Sequence, residues 1–334
     1  MSNPHNDNTA RRIRDRLLPD VASDARPQTA GVLDWVGMEN IEMPVRVRDV
    51  DGELQRSPAR VTAQVSLDRP DTRGIHMSRL YLALDRVLDA EAISPCLIRR
   101  LLREFLDSHE GLSGRARLRF DFEMLLRRPA LRSDNSGWRS YPITVAAEMD
   151  ADGPGSRPGQ ALRIELGLAL LYSSTCPASA ALSREAIQHR FRETFGEGSV
   201  DSKAVFDWLG SEQGMAATPH SQRSRADLRL LLEPSFDDLP IAGLIDALEA
   251  TLSTPVQTAV KRDDEQAFAE LNAANTLFCE DAARRLQSRL SVEPRIADFS
   301  LRVAHLESLH AHDAVAEASR DGRGYRPLAD FGTE

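Results

Sequence analysis

Three stretches of this chain alternate apolar and polar residues with a period of two, and that alternation constrains the fold more than any other feature of the sequence. Val61, Ala63, Val65 and Leu67 alternate with Thr62, Gln64 and Ser66, and Leu118, Phe120, Phe122 and Met124 alternate with Arg117, Arg119, Asp121 and Glu123. Tyr141, Ile143, Val145 and Ala147 continue the pattern. Successive side chains of a strand point to opposite faces, so each stretch reads as a strand with one buried and one wetted face. Sheets of this kind are antiparallel and need a cover on one side only. The segment "SPCLIRRLLREFLDSHEG" supplies such a cover, with Ser94 as N-cap, Pro95 at the first helical position and Leu97, Leu101, Leu102 and Phe105 on one face.

The second half repeats the scheme. Strands are expected near 161–175, 223–233 and 295–306, around helices at about 240–253 and 264–290. The expected class is α+β, two related halves of antiparallel sheet with helices packed on one face. Residues 1–30 lack apolar periodicity and read as a flexible N-terminal arm. Residues 31–150 form the first half, 151–320 the second with a helical insertion at about 181–216, and 321–334 a C-terminal tail.

Charge and hydropathy narrow the classes of function. The 51 acidic residues outnumber the 42 Lys and Arg, for a net charge of -9, which disfavours a phosphate-tracking nucleic-acid surface. No apolar run reaches the ~18 residues of a membrane span, and "MSNPHNDNTARRIRDRLLPD" lacks an apolar signal core. The expectation is a cytoplasmic protein with no nucleic-acid or membrane partner. Cys96, Cys176 and Cys279 are odd in number and outside any CxxC, so neither a disulfide framework nor a zinc ribbon is available.

Each thiol is therefore judged alone. Cys96 and Cys279 fall in helices beside apolar neighbours and read as small buried hydrophobes. Cys176 leaves a strand into a Thr-Cys-Pro turn, where packing gains little from a thiol. It shares parity with Leu162, Ile164, Leu166, Leu168 and Leu170, and His220 shares parity with Ala226, Leu228, Leu230 and Leu232. If the two strands pair as an antiparallel hairpin, Cys176 closes one and His220 opens the other, at the same end and on the same face. Such a pair can hold a metal or act as nucleophile and base. The segment between them reads as two short helices, an elaborate loop for a hairpin.

Further on, Phe268, Leu271, Ala274, Phe278, Ala282 and Leu286 form a buried stripe at helical spacing. Glu265 and Glu280 are fifteen positions apart on it, about 22 Å at 1.5 Å per residue, too far to serve one small pocket. Either the helix breaks near "NAANT" or the two carboxylates belong to different pockets across a subunit interface. His305, His310 and His312 gather where a strand runs out, a spacing that suits a metal site or a polar loop equally.

Taken in order, "DRPDTRGIHMSRLY", "SSTCPASAALSR", "ATPHSQRS", "VKRDDEQAFAE", "LFCEDAARRL" and "ESLHAHDAVAE" resemble the type IB GTP cyclohydrolase family, the second form of GTP cyclohydrolase I, over roughly residues 60–318. The resemblance implies a tunnelling fold, in which sheets with helices on one face assemble around a channel, as a homo-oligomer, usually a tetramer with sites between subunits. It implies conversion of GTP and water to formate and 7,8-dihydroneopterin triphosphate, the entry to folate biosynthesis. It also implies a divalent metal, manganese favoured and zinc or iron possible, held by a subset of Cys176, His220, Glu265 and His310, which are the catalytic candidates as well. Glu280 resembles the carboxylate that anchors guanine. Arg73, Arg79, Arg223 and Lys261 are candidates for the triphosphate, with His76 beside them.

Two features depart from many relatives of that family. Cys-Pro-Ala stands where they have Cys-Pro-Cys, and His220 lies 44 positions after Cys176 rather than about a dozen. His189 has the shorter spacing but lacks the Gln-Arg-Ser context of His220. The rival readings are an archaeal-type cyclohydrolase that stops at a cyclic phosphate and a non-catalytic purine- or metal-binding protein.

Overall fold

The protein is described here by a computed structural model covering residue 22 and residues 26–49, 51–151, 162–325 and 327–328. Of the expected N-terminal arm, residues 1–21 and 23–25 lie outside the described residues. Eight strands form a single antiparallel sheet in sequential order: β1 (Leu33–Arg48), β2 (Leu54–Leu67), β3 (Arg115–Pro129), β4 (Ser136–Asp150), β5 (Leu162–Thr175), β6 (Ser221–Leu232), β7 (Ile296–His305) and β8 (Ala314–Ser319). Helices α1 (Met77–Leu88) and α2 (Pro95–Ser108) link β2 to β3, while α5 (Ile241–Leu252), α6 (Arg262–Ala274) and α7 (Cys279–Ser291) link β6 to β7. Each half therefore runs strand pair, helices, strand pair. This is the α+β arrangement read from the alternation.

One face of the sheet carries the core. Val45, Val61, Phe120, Val145, Leu166, Leu228 and Val303 are buried there with Leu84, Leu101, Phe105, Leu248 and Leu286 from the covering helices. The α2 start is as the sequence indicates: the Ser94 side chain accepts a hydrogen bond from the Leu97 N–H, and Pro95 follows at the first turn. The opposite face is polar and bounds a cavity of about 1210 Å³, lined in part by Arg56, Arg119, Asp121, Arg225 and Asp227. Tail residues dock on it: Tyr325 Oη and the Leu328 N–H both donate to the buried Glu165 carboxylate, which also accepts from Arg229. No helix among the described residues is long and apolar enough to cross a membrane.

The long helix expected over 264–290 is two helices. The chain breaks after Ala274, where Asn275 Nδ2 donates to the Leu252 carbonyl at 2.8 Å and the Leu277 N–H donates to the Thr175 carbonyl at 3.0 Å. Tertiary hydrogen bonds thus replace the helical ones, and Leu277 is buried in the core. The apolar stripe divides at the same point. Ala282 and Leu286 on α7 are buried, whereas Phe268 and Leu271 on α6 are only half-buried and Ala274 and Phe278 are exposed. The thiols also separate: Cys279 is buried as expected, but Cys96 is exposed because it lies one position off the apolar face of α2.

The start of α6 is held from the other half of the chain. The fully buried Asp264 carboxylate accepts from the N–H groups of Lys261, Arg132 and Ser133 and from Ser133 Oγ, at 2.6 to 2.8 Å. Close by, a Cβ on Gly137 would lie 2.3 Å from Thr258 Oγ1, so the root of β4 packs directly on the segment that leads into α6. These donors, the Lys261 N–H foremost, hold the Asp264 carboxyl far below the usual carboxylate range. Its folded pKa is below its unfolded value of about 3.9, so its contribution is complete above that value and is lost as pH falls through the folded pKa. Asp264→Asn should therefore lower Tm at pH 7, and melting curves should show the gap from wild type closing as pH falls below about 4.

Candidate functional site

Cys176 and His220 face each other across the ends of β5 and β6. The ladder closes at Thr175 and Ser221, whose hydroxyls lie 2.7 Å apart, and one step beyond the Cys176 N–H donates to the His220 carbonyl at 3.2 Å. The hairpin pairing read from parity is thus present. The intervening segment begins at once: α3 (Pro177–Phe195) starts beside Cys176, earlier than the expected 181, and α4 (Ser202–Leu209) follows. The Cys176 thiol is the N-cap of α3 and accepts from the Ser179 N–H at 3.5 Å, while Ser179 Oγ accepts from the His220 N–H at 3.1 Å. Both site residues are half-buried.

Glu307 stands beside them and was missed by the sequence reading. Two residues past the end of β7, its Oε2 lies 3.6 Å from His220 Nε2 and its Oε1 3.5 Å from Gln222 Nε2. The Oε2 atom is buried and has no hydrogen-bond partner, an arrangement that favours a neighbouring positive charge. The available signal was parity, since Glu307 continues the face of His305 beyond the strand.

Glu280 is carried to the same strand end. Thr276 bridges to Thr175, Leu277 is tied to the Thr175 carbonyl, and Glu280 follows in the first turn of α7. The Cys279 thiol donates to Glu280 Oε2 at 3.2 Å. Burial first, and then the neighbouring carboxylate, push the Cys279 thiol up to about 11, so it stays a protonated donor. Its own backbone N–H, followed by the Cys279 thiol, holds the exposed Glu280 carboxyl below the ordinary range. Glu280 is therefore an ionised acceptor with lone pairs open to solvent.

The other candidates lie apart. Glu265 is exposed on the first turn of α6, beside the Asp264 anchor and with Lys261 at the N-cap. His310 is exposed in the loop after β7, its ring stacked on that of His312 at 5.1 Å. Arg73 is exposed in the loop before α1, where His76 is the N-cap, and Arg223 is exposed on β6. Arg79 donates to the Ser108 carbonyl at the end of α2. His189 is exposed on α3, 3.4 Å from Glu193. Among the described residues, no three His, Cys, Asp or Glu side chains gather into a group able to hold a metal ion. One chain brings a cysteine and a histidine together through a backbone hydrogen bond, with the Glu307 carboxylate 3.6 Å from the imidazole, residue types that suit part of a divalent-metal shell. The large cavity of the polar face is lined by none of Cys176, His220 and Glu280.

The comparisons with known proteins cover nearly the whole chain. A family model described as "Type I GTP cyclohydrolase folE2" matches residues 18–316. GTP cyclohydrolase FolE2 of Hydrogenovibrio crunogenus is 46% identical over 307 residues, 92% of this chain and 96% of that protein. GTP cyclohydrolase FolE2 of Pseudomonas putida is 50% identical over 299 residues, 90% of this chain and 94% of that protein. Among solved structures, uricase from Arthrobacter globiformis aligns with a TM-score of 0.48 at 12% identity, covering 91% of this chain and 99% of that one, a likeness too low to bear on activity. With the motif order, the β5–β6 site and matches of this identity and coverage, the chain belongs to the type I GTP cyclohydrolase folE2 family.

Proposed function

We propose that this protein hydrolyses GTP to formate and 7,8-dihydroneopterin triphosphate in folate biosynthesis, with the Cys176–His220 strand end as its reacting centre. The observation that carries this reading is the pairing of Cys176 with His220 across the last step of the β5–β6 ladder, with Glu280 tethered to the same strand end through Thr175. Cys176 and His220 would hold a divalent metal, with Glu265 and His310 as further members of the set from a neighbouring copy in a homo-oligomer, proposed as a tetramer. Manganese is favoured, and zinc or iron also suits thiolate and imidazole donors. Such an ion supplies the Lewis acidity that lets water attack C8 of guanine near neutral pH.

The chain's own groups do the rest. Glu280, ionised and outward-facing, accepts two N–H donors from the guanine edge and fixes C8 relative to the strand end. Addition of water at C8 breaks the imidazole ring, and a histidine donates the proton taken up by the departing nitrogen. A second hydrolysis releases formate, and the rearranged ribose closes on the freed amine with loss of water, so one water is consumed overall. Arg73, Arg79, Arg223 and Lys261, all exposed cations, are the triphosphate candidates, and Arg79 also donates to the Ser108 carbonyl at the end of α2.

The test is product analysis. Metal-stripped protein is incubated with GTP after manganese, zinc or iron is restored separately, and formate is measured with the fluorescent oxidised pterin. Both products in equal amounts are expected with the working metal. GTP binding without formate under every metal would sink the reading, and a cyclic phosphate product would move the protein to the archaeal-type reaction.

A further inference from the structure

His305, the last residue of β7, is buried beneath the strand ends and belongs to a small polar group inside an otherwise apolar face. Its Nε2 lies 2.9 Å from the Tyr172 hydroxyl and its Nδ1 3.2 Å from the Ser174 hydroxyl, which is 2.7 Å from Ser224 Oγ. Ser224 stands opposite both Tyr172 and His305 in the ladders, and the four groups form one hydrogen-bonded chain, Tyr172–His305–Ser174–Ser224. Tyr172, Ser174 and Ser224 are fully buried and His305 is 3% exposed. A neutral imidazole offers one donor and one acceptor, as does each hydroxyl, so His305 and Ser174, the two middle members of the chain, can each give one hydrogen bond and take one. None of the four is among the described side chains with an unpaired buried polar atom.

Four polar groups are costly to bury where leucine, valine or phenylalanine fills the neighbouring positions. Their place in the fold gives a reason. Strand periodicity puts Ser174 on the face of Cys176, Ser224 on the face of Gln222 and His220, and His305 on the face of Glu307. The hydrogen-bonded chain therefore ties β5, β6 and β7 together one layer beneath the three chain ends that carry the site, just where the backbone ladders stop. We propose that His305 is a positioning residue that, through this network, sets the geometry of Cys176, His220 and Glu307 relative to one another. It touches neither substrate nor metal, and its role rests on the Cys176–His220 reading given above.

The test uses His305→Phe and His305→Gln in the full-length protein. Phenylalanine fills the volume but strips Tyr172 and Ser174 of their partner, whereas glutamine retains a donor and an acceptor. Cobalt(II) added to metal-stripped protein reports the donor geometry through its visible and thiolate-to-metal absorption bands, alongside kcat, KM and Tm. His305→Phe should shift those bands and lower kcat by about tenfold or more, with KM for GTP little changed, and His305→Gln should recover most of both. Wild-type bands and kcat in His305→Phe would overturn the proposal, as would equal losses in the two variants that simply follow Tm. Wild-type protein that shows the thiolate band but releases no formate would refute the cyclohydrolase reading alone, leaving the bands to judge His305; absence of the thiolate band in wild type would refute the positioning role with it.

Discussion

Cys176→Ser should fold like the wild type, bind less metal and lose formate production by on the order of 1000-fold or more, because in the proposed reaction the ion that activates water is held through the thiolate. The choice of serine matters. Cys176 is also the N-cap of α3, with its sulfur accepting from the Ser179 N–H, and removing a cap costs about 0.5–2 kcal/mol in its own right. Serine keeps an acceptor at that position and changes only the donor offered to the ion. His220→Ala should have the same catalytic effect and should also strand Glu307, whose Oε2 has no hydrogen-bond partner and lies 3.6 Å from the imidazole. Activity, metal content by elemental analysis and Tm are measured together. A serine variant with full metal content and full activity would remove Cys176 from the reaction.

Glu280→Gln should lower kcat/KM for GTP by roughly 10- to 150-fold, the equivalent of the ~1.5–3 kcal/mol carried by charge-assisted hydrogen bonds. A carboxylate can accept both N1–H and N2–H of guanine, whereas a carboxamide accepts one and turns an N–H toward the other. Inosine triphosphate lacks the 2-amino group, so wild type should discriminate against it and Glu280→Gln should largely lose that discrimination. Cys279 supports this assignment, since its protonated thiol donates to Oε2 and helps keep the carboxyl ionised. Rates with the two nucleotides for wild type and variant decide it. An unchanged ratio would mean that Glu280 does not read the guanine edge.

The parts of the site that lay within one periodic pattern were legible beforehand. Cys176 and His220 continue the alternation of β5 and β6, and antiparallel pairing then puts them at one end with no further information. Parity names no partner, so residues that take their role from distant parts of the chain were not legible. Glu307 sits past the end of β7 and acquires its place through His220 and Gln222, which are more than 80 positions away. The Asp264 anchor depends on Arg132 and Ser133 from the other half of the chain. Helix periodicity likewise ran across 264–290 and left a break near "NAANT" as one of two alternatives; the Thr175 and Leu252 carbonyls select that break.

By itself, the sequence determined the class of fold, the antiparallel sheet with its apolar face, the start of α2 and the meeting of Cys176 with His220. All of these follow from local periodicity and from what a strand or a capped helix does with its own side chains. Only the tertiary structure decided between a helix broken near "NAANT" and a continuous one, that Glu280 shares a strand end with Cys176 while Glu265 sits at the Asp264 anchor, and that a network of four buried polar groups underlies the site. These depend on hydrogen bonds between residues distant in the chain, and such bonds outweigh the few tenths of a kcal/mol per residue by which propensity favours one local conformation over another.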